Sequence, residues 1–173
     1  LKHTFYTRSG KEVVDGSGIL PDYEVKPDTM PRILYYLNAA DSAEIMFNFV
    51  CDYLNAHPNI GNAGEFQLSD KDYADFKQRV ISAGFKYDPF TEKFLKSLED
   101  VAKEEGYYES SKEEFSALKK KLQHNLDFDL DYSKASIRSL LEYKIILGRY
   151  GYASALEHNY KSDKVYQEAK KYF

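Results

Sequence analysis

Along the first 26 residues the apolar positions come in short β-prone runs, and from Met30 onward they recur every three or four residues. Phe5-Tyr6-Thr7 and Glu12-Val13-Val14 are separated by Arg8-Ser9-Gly10-Lys11, whose Ser-Gly pair is a turn signal, so this segment predicts a β-hairpin. A second turn at Asp15-Gly16-Ser17-Gly18 leads through Ile19-Leu20-Pro21-Asp22 into Tyr23-Glu24-Val25, a third short strand closed by Lys26-Pro27-Asp28. Three short strands are marginal without more sheet or a covering helix. Residues 1–26 are therefore expected either to pack on the helices or to form the trailing edge of a sheet that begins upstream. The start at Leu1 rather than at Met favours the second.

The helical part divides at its caps and breakers. Pro31 opens a short helix through Leu37, and Asp41 or Ser42 caps a longer one carrying Ile45, Phe49, Val50, Tyr53 and Leu54, stopped by His57-Pro58. Residues 58–68, with Gly61 and Gly64, read as a loop. Ser69-Asp70-Lys71-Asp72 resembles a capping box with Asp in place of Glu, ahead of a helix whose buried face is Tyr73, Phe76, Val80 and Ile81 and whose end is Gly84. Asp88-Pro89 caps a helix with Phe90, Phe94, Leu98, Val101 and Ala102 in register, up to Gly106. Ser111-Lys112-Glu113-Glu114 is a full capping box for Phe115, Leu118, Leu122 and Leu126. Asp127–Asp131 looks extended, Ser133 caps a helix with Ile137, Leu140, Leu141, Ile145 and Ile146 that is interrupted near Gly148 and Gly151, and a last amphipathic piece starts at about Asp163. The fold class is thus mainly α, an irregular bundle of about five or six helices with a short N-terminal β-hairpin and strand. The expected domains are residues 1–26 and 27–173. Uneven spacing between the caps at Ser69, Asp88, Ser111 and Ser133 argues against a repeat array.

Composition narrows the function classes. The 173 residues are 43% hydrophobic and 16% aromatic, enough to fold. With 24 Lys and Arg against 28 Asp and Glu, the net charge of −4 gives no footprint for nucleic acid. Residues 1–26 are charge-balanced, so the net charge belongs to the helical part, and Lys119-Lys120-Lys121 sits opposite Leu118 and Leu122 as a solvated helix face. No run approaches the roughly 18 apolar residues of a membrane span. Cys51, the single cysteine, lies on an apolar helix face and carries no vote on compartment.

No catalytic, cofactor-binding or metal-ligating set stands out along the chain. The one Ser-x-x-Lys, Ser116 to Lys119, is mid-helix, where a lysine in water keeps its proton and cannot serve as base. His3, His57, His124 and His158 are scattered singly, which argues against zinc. Asp127, Asp129 and Asp131 imitate a calcium loop, but Tyr132 stands where Gly is required and Arg138 where Glu is. Gly16-Ser17-Gly18 leads into a strand rather than a helix, so it reads as a tight turn. Sixteen tyrosines suit helix seams or a docking surface, and the seam reading is preferred for a small helical domain.

The N-terminal motifs carry a resemblance. Thr7, then Ser9-Gly10-Lys11, Gly16-x-Gly18-Ile19 and Pro21-Asp22-x-x-Val25 resemble the end of the catalytic core in carboxyl-terminal processing peptidases, the S41 family of tail-specific serine proteases. Residues 5–25 carry the likeness, and Asp127–Tyr150 is similar to helical extensions that follow this strand in some members. The resemblance implies a parent serine endopeptidase with a Ser/Lys dyad and a preceding peptide-binding PDZ domain, located in a bacterial periplasm or cell envelope. The dyad lies upstream of the matching segment in the family, so no catalytic residue is carried over and this chain alone is expected to be inactive. Thr7, Ser9, Gly10, Lys11, Gly16, Gly18, Ile19, Pro21, Asp22 and Val25 then serve structure, turning the chain between edge strands. The implied partners are the upstream core of the same polypeptide, protein or peptide substrates, and a second copy in a homo-oligomer. A free-standing helical module that binds a protein or peptide is the rival reading. A small hydrolase using Ser17 or Ser116 is a third, and it predicts labelling by a serine-reactive probe.

Overall fold

The computed structural model describes residues 3–16, 21, 23–26, 29–39 and 43–172. Its contacts divide the chain into two compact units, one made of residues 1–28 with 163–173 and the other of residues 29–162.

The first unit contains the hairpin and the last helix. Strands β1 (Thr4–Tyr6) and β2 (Glu12–Val14) pair antiparallel, with Thr4 opposite Val14, Phe5 opposite Val13 and Tyr6 opposite Glu12. Residues 23–26 form no strand, so among the described residues the sheet stops at two. Instead the Tyr23 ring stacks on Tyr172, with centroids 3.9 Å apart. Helix α9 (Lys164–Ala169) starts where the Asp163 carboxylate accepts the Tyr166 amide, 2.8 Å.

In the second unit α1 (Arg32–Asn38), α2 (Ala43–Ala56), α3 (Asp70–Ser82), α6 (Leu126–Tyr132), α7 (Lys134–Tyr150) and α8 (Tyr152–Tyr160) enclose one core. Its centre is Leu37, Met46, Phe76, Ile137, Leu141 and Ile145. At Phe76 the ring meets Phe49 edge-on, centroids 5.2 Å apart. The Ser69 cap forms as its sequence predicts, the hydroxyl accepting the Asp72 amide at 3.1 Å. Ile81 is the exception on α3, lying at the exposed edge of the stripe. The Asp41 and Ser42 caps lie outside the described residues.

Helices α4 (Phe90–Glu104) and α5 (Lys112–Lys121), joined by a single 3-10 turn at Glu109–Ser111, depart most from the periodicity. On α4 the buried residues are Leu95 and Ala102, while Phe90, Phe94, Leu98 and Val101 face outward. Pro89 occupies the cap position, without a side-chain hydrogen bond. Ser111 does not close its capping box, because it is engaged in the 3-10 turn with non-cap dihedrals of −119° and 16°. The helix expected through Leu126 ends at Lys121, and Asn125 opens α6 by accepting the Phe128 amide, 3.1 Å. Residues 127–131, extended by their alternation, are helical. Helix formation buries Leu130 in the core and brings Asp127 and Asp131 within reach of one Lys77 ammonium, 2.8 Å from each, whereas in a strand the two carboxylates would lie about 13 Å apart. Helix α7 runs through Gly148 without a break and ends at Gly151, where φ is +83°. The described residues thus hold nine helices, more than the five or six the periodicity counted, because short helices lack a full repeat.

Candidate functional site

The motif residues of the N-terminal segment form a turn. The Thr7 amide donates to the Lys11 carbonyl at 2.8 Å, the Gly10 amide to the Thr7 carbonyl at 2.9 Å and the Lys11 amide to the Thr7 hydroxyl at 3.0 Å. Ser9 and Thr7 hydroxyls meet at 2.9 Å. Gly10 takes φ +81°, open to a residue without Cβ, as a hairpin loop with a bulge requires. Gly16, at φ +84°, follows the point where the Asp15 carboxylate accepts the His3 amide. Pro21 and Val25 sit in irregular structure. Gly18, Ile19 and Asp22 lie outside the described residues, as does Ser17.

Of the remaining polar groups, the densest cluster joins α1, α4 and α6. The Asp129 carboxylate accepts the Tyr87 hydroxyl at 2.9 Å and faces His124 Nδ1 at 2.9 Å, while the imidazole meets the Tyr87 ring edge-on. Burial first, then the bond to Asp129, pushes the Tyr87 hydroxyl well above the ordinary tyrosine range, so it is held protonated as a donor. Arg32 lies over the Phe90 ring at 3.2 Å and donates to the Asp88 carbonyl and the Tyr36 hydroxyl. These contacts tie α1 and the start of α4 to α6.

A second set fixes the 57–68 loop. Arg149 donates to the Leu54 carbonyl at 2.7 Å and the His57 carbonyl at 3.2 Å, closing the C-terminal end of α2 from α7, and the Tyr150 hydroxyl donates to Gly61. His158 Nδ1 stands 2.9 Å from the Ala63 carbonyl; a carbonyl only accepts, so this nitrogen carries the proton. Arg138 donates to the Leu68 carbonyl and to Asp70, and Glu142 accepts the Leu68 amide at 2.8 Å. This constellation was not legible as a site in the sequence, since its members lie about 70 to 95 residues apart.

Ser116 and Lys119 line a groove of about 1050 Å³ between α4 and α5, both exposed, and among the described residues no hydrogen bond joins them. Nor do three His, Cys, Asp or Glu side chains gather to hold a metal ion among the described residues. No described helix is long and apolar enough to cross a membrane. The tyrosines divide: Tyr73 is buried and Tyr36, Tyr53, Tyr87 and Tyr143 pack against the core, but more of the sixteen face outward, Tyr132 most at 80% exposed.

Residues 33–173 match a family model described as probable PDZ-protease, C-terminal helical domain. No curated protein and no solved structure matches the chain.

Proposed function

Since the chain belongs to the family of C-terminal helical domains of probable PDZ-proteases, we propose that its parent is a serine peptidase of the carboxyl-terminal processing, S41 type and that this region is non-catalytic. Residues 1–26 are then the trailing β segment of the catalytic core and residues 27–173 the appended helical domain, acting in cover, assembly or the choice of tails that reach the active site. The observation that carries the reading is the join itself. The Thr7–Lys11 turn, whose residues resemble the end of that core, precedes the matched helical domain on one chain.

The hairpin's exposure supports the same reading. Both strands lie at a sheet edge, and Phe5, Tyr6 and Val13 are exposed on a two-stranded ribbon, a construction that gains stability when further strands pair with it. The serine of the parent would attack the scissile carbonyl and a neutral lysine would take its proton. Both belong to the upstream core, and the parent acts in the periplasm or cell envelope.

The test is cleavage of an unfolded protein substrate by the full-length polypeptide. Cleavage is expected to stop when the upstream serine nucleophile is replaced by alanine, and residues 1–173 alone are expected to cleave nothing and to resist a serine-reactive probe. Cleavage by residues 1–173 alone, or by the serine-replaced protein, overturns the proposal. Fractionation of source cells tests the location, and recovery of the full-length protein only in the cytosol refutes it.

A further inference from the structure

We propose that the outward row of α4 is a self-association surface, on which the α4 helix of a second copy of this chain packs antiparallel. Phe90, Phe94, Leu98 and Val101 are 49, 66, 54 and 46% exposed, and they fall at i, i+4, i+8 and i+11 on one side of the helix. A row of two phenylalanines, a leucine and a valine is the composition of a buried seam, and on α4 it lies outside the main core.

The row is complementary to itself. A two-fold interface requires that each position i meet a position j which in turn meets i. Running two copies of α4 antiparallel about a point midway between Phe94 and Leu98 sets Phe94 against Leu98 of the second copy and brings Phe90 within one residue's rise of its Val101. The same operation brings Lys93 within one residue's rise of Asp100 of the second copy, and Asp100 of its Lys93, because both lie on the same flank of the helix. Parallel packing would instead carry Lys93 and the second copy's Asp100 to opposite sides of the seam, where they cannot pair. Within one copy, among the described residues, Asp100 pairs with the exposed Lys103 at 3.4 Å, a contact of little worth that a better pair displaces. The apolar row supplies the attraction and the charge pattern selects the direction.

The inference is independent of the S41 reading, because it uses only the surface of α4. Sedimentation of the full-length polypeptide tests it without reference to activity. A dimer is expected, with Phe94→Asp weakening association by roughly 100-fold, the scale of losing one apolar anchor at an interface. Lys93→Asp and Asp100→Lys are each expected to weaken it about 10-fold, and the double exchange to restore it, which non-specific stickiness would not do. Far-UV circular dichroism is expected to remain unchanged in all four variants, since each site is exposed. A monomer at all concentrations, which is the outcome if another part of the polypeptide covers the row, overturns the proposal. So does a dimer indifferent to Phe94→Asp, or a double exchange no better than its parents.

Discussion

Replacing Tyr73 by phenylalanine isolates one hydrogen bond that ties α3 to α6. The ring is 2% exposed and its hydroxyl donates to the Leu130 carbonyl at 2.6 Å. Leu130 lies in the last turn of a seven-residue helix, where backbone carbonyls lack amide partners within the helix. The substitution keeps the ring and its packing on Phe76 but leaves this buried carbonyl without the hydroxyl, at a cost of about 1–3 kcal/mol. For a chain of this size each kcal/mol lowers the melting temperature by about 2–4 °C, so a fall of roughly 2–12 °C is expected by calorimetry. Tyr132→Phe is the control, because that side chain is 80% exposed, and it is expected to leave the transition in place. An unchanged transition in Tyr73→Phe, or an equal fall in the control, would refute the claim that this buried bond stabilises the packing of α3 on α6.

Three further outcomes follow from the same packing. Burial, reinforced by the Asp131 charge at Tyr73 and the Asp129 hydrogen bond at Tyr87, raises both hydroxyls above the usual value near 10. The folded state therefore keeps protons the unfolded chain has lost: this stability is intact below about pH 10 and falls as pH rises above it. Denaturation midpoints measured from pH 8 to 11.5 are expected to drop more steeply in the wild type than in Tyr87→Phe, and parallel curves would exclude this cause. Ser69→Ala is expected to cost about 1 kcal/mol by urea unfolding through loss of the bond to the Asp72 amide, while Ser111→Ala, which removes no cap bond, stays within about 0.5 kcal/mol. At Gly148 an added Cβ would stand 2.8 Å from the Leu54 methyl, so Gly148→Val is expected to destabilise by about 1–3 kcal/mol, and Leu54→Ala to relieve part of that loss in the double variant.

Where one face of a helix is buried and long enough to repeat, its periodicity was legible: α3 and α7 put Tyr73, Phe76 and Val80, and Ile137, Leu141, Ile145 and Ile146, into the core where spacing alone places them. The Ser69 cap was legible for the same reason, since hydroxyl and amide lie three residues apart. The sites were less so. The Thr7–Lys11 turn could be read because its bonds are local, but the Arg149, Tyr150 and His158 contacts that fix the 57–68 loop join residues almost 100 positions apart, and no local pattern encodes them.

Local order along the chain by itself determined that this protein is a mainly helical domain behind a β-hairpin, because hydrophobic period, caps and turn residues act over a few positions. Which faces are used was decided only in three dimensions. Periodicity makes α4 amphipathic but cannot say that Leu95 and Ala102 are covered while Phe90, Phe94, Leu98 and Val101 are left outward. Nor can it say that Lys77, about 50 residues away, meets both Asp127 and Asp131. Local propensity contributes only tenths of a kcal/mol per residue. Burial and long-range pairing contribute kcal/mol per contact, so they choose the partner and, with it, the surface that remains free.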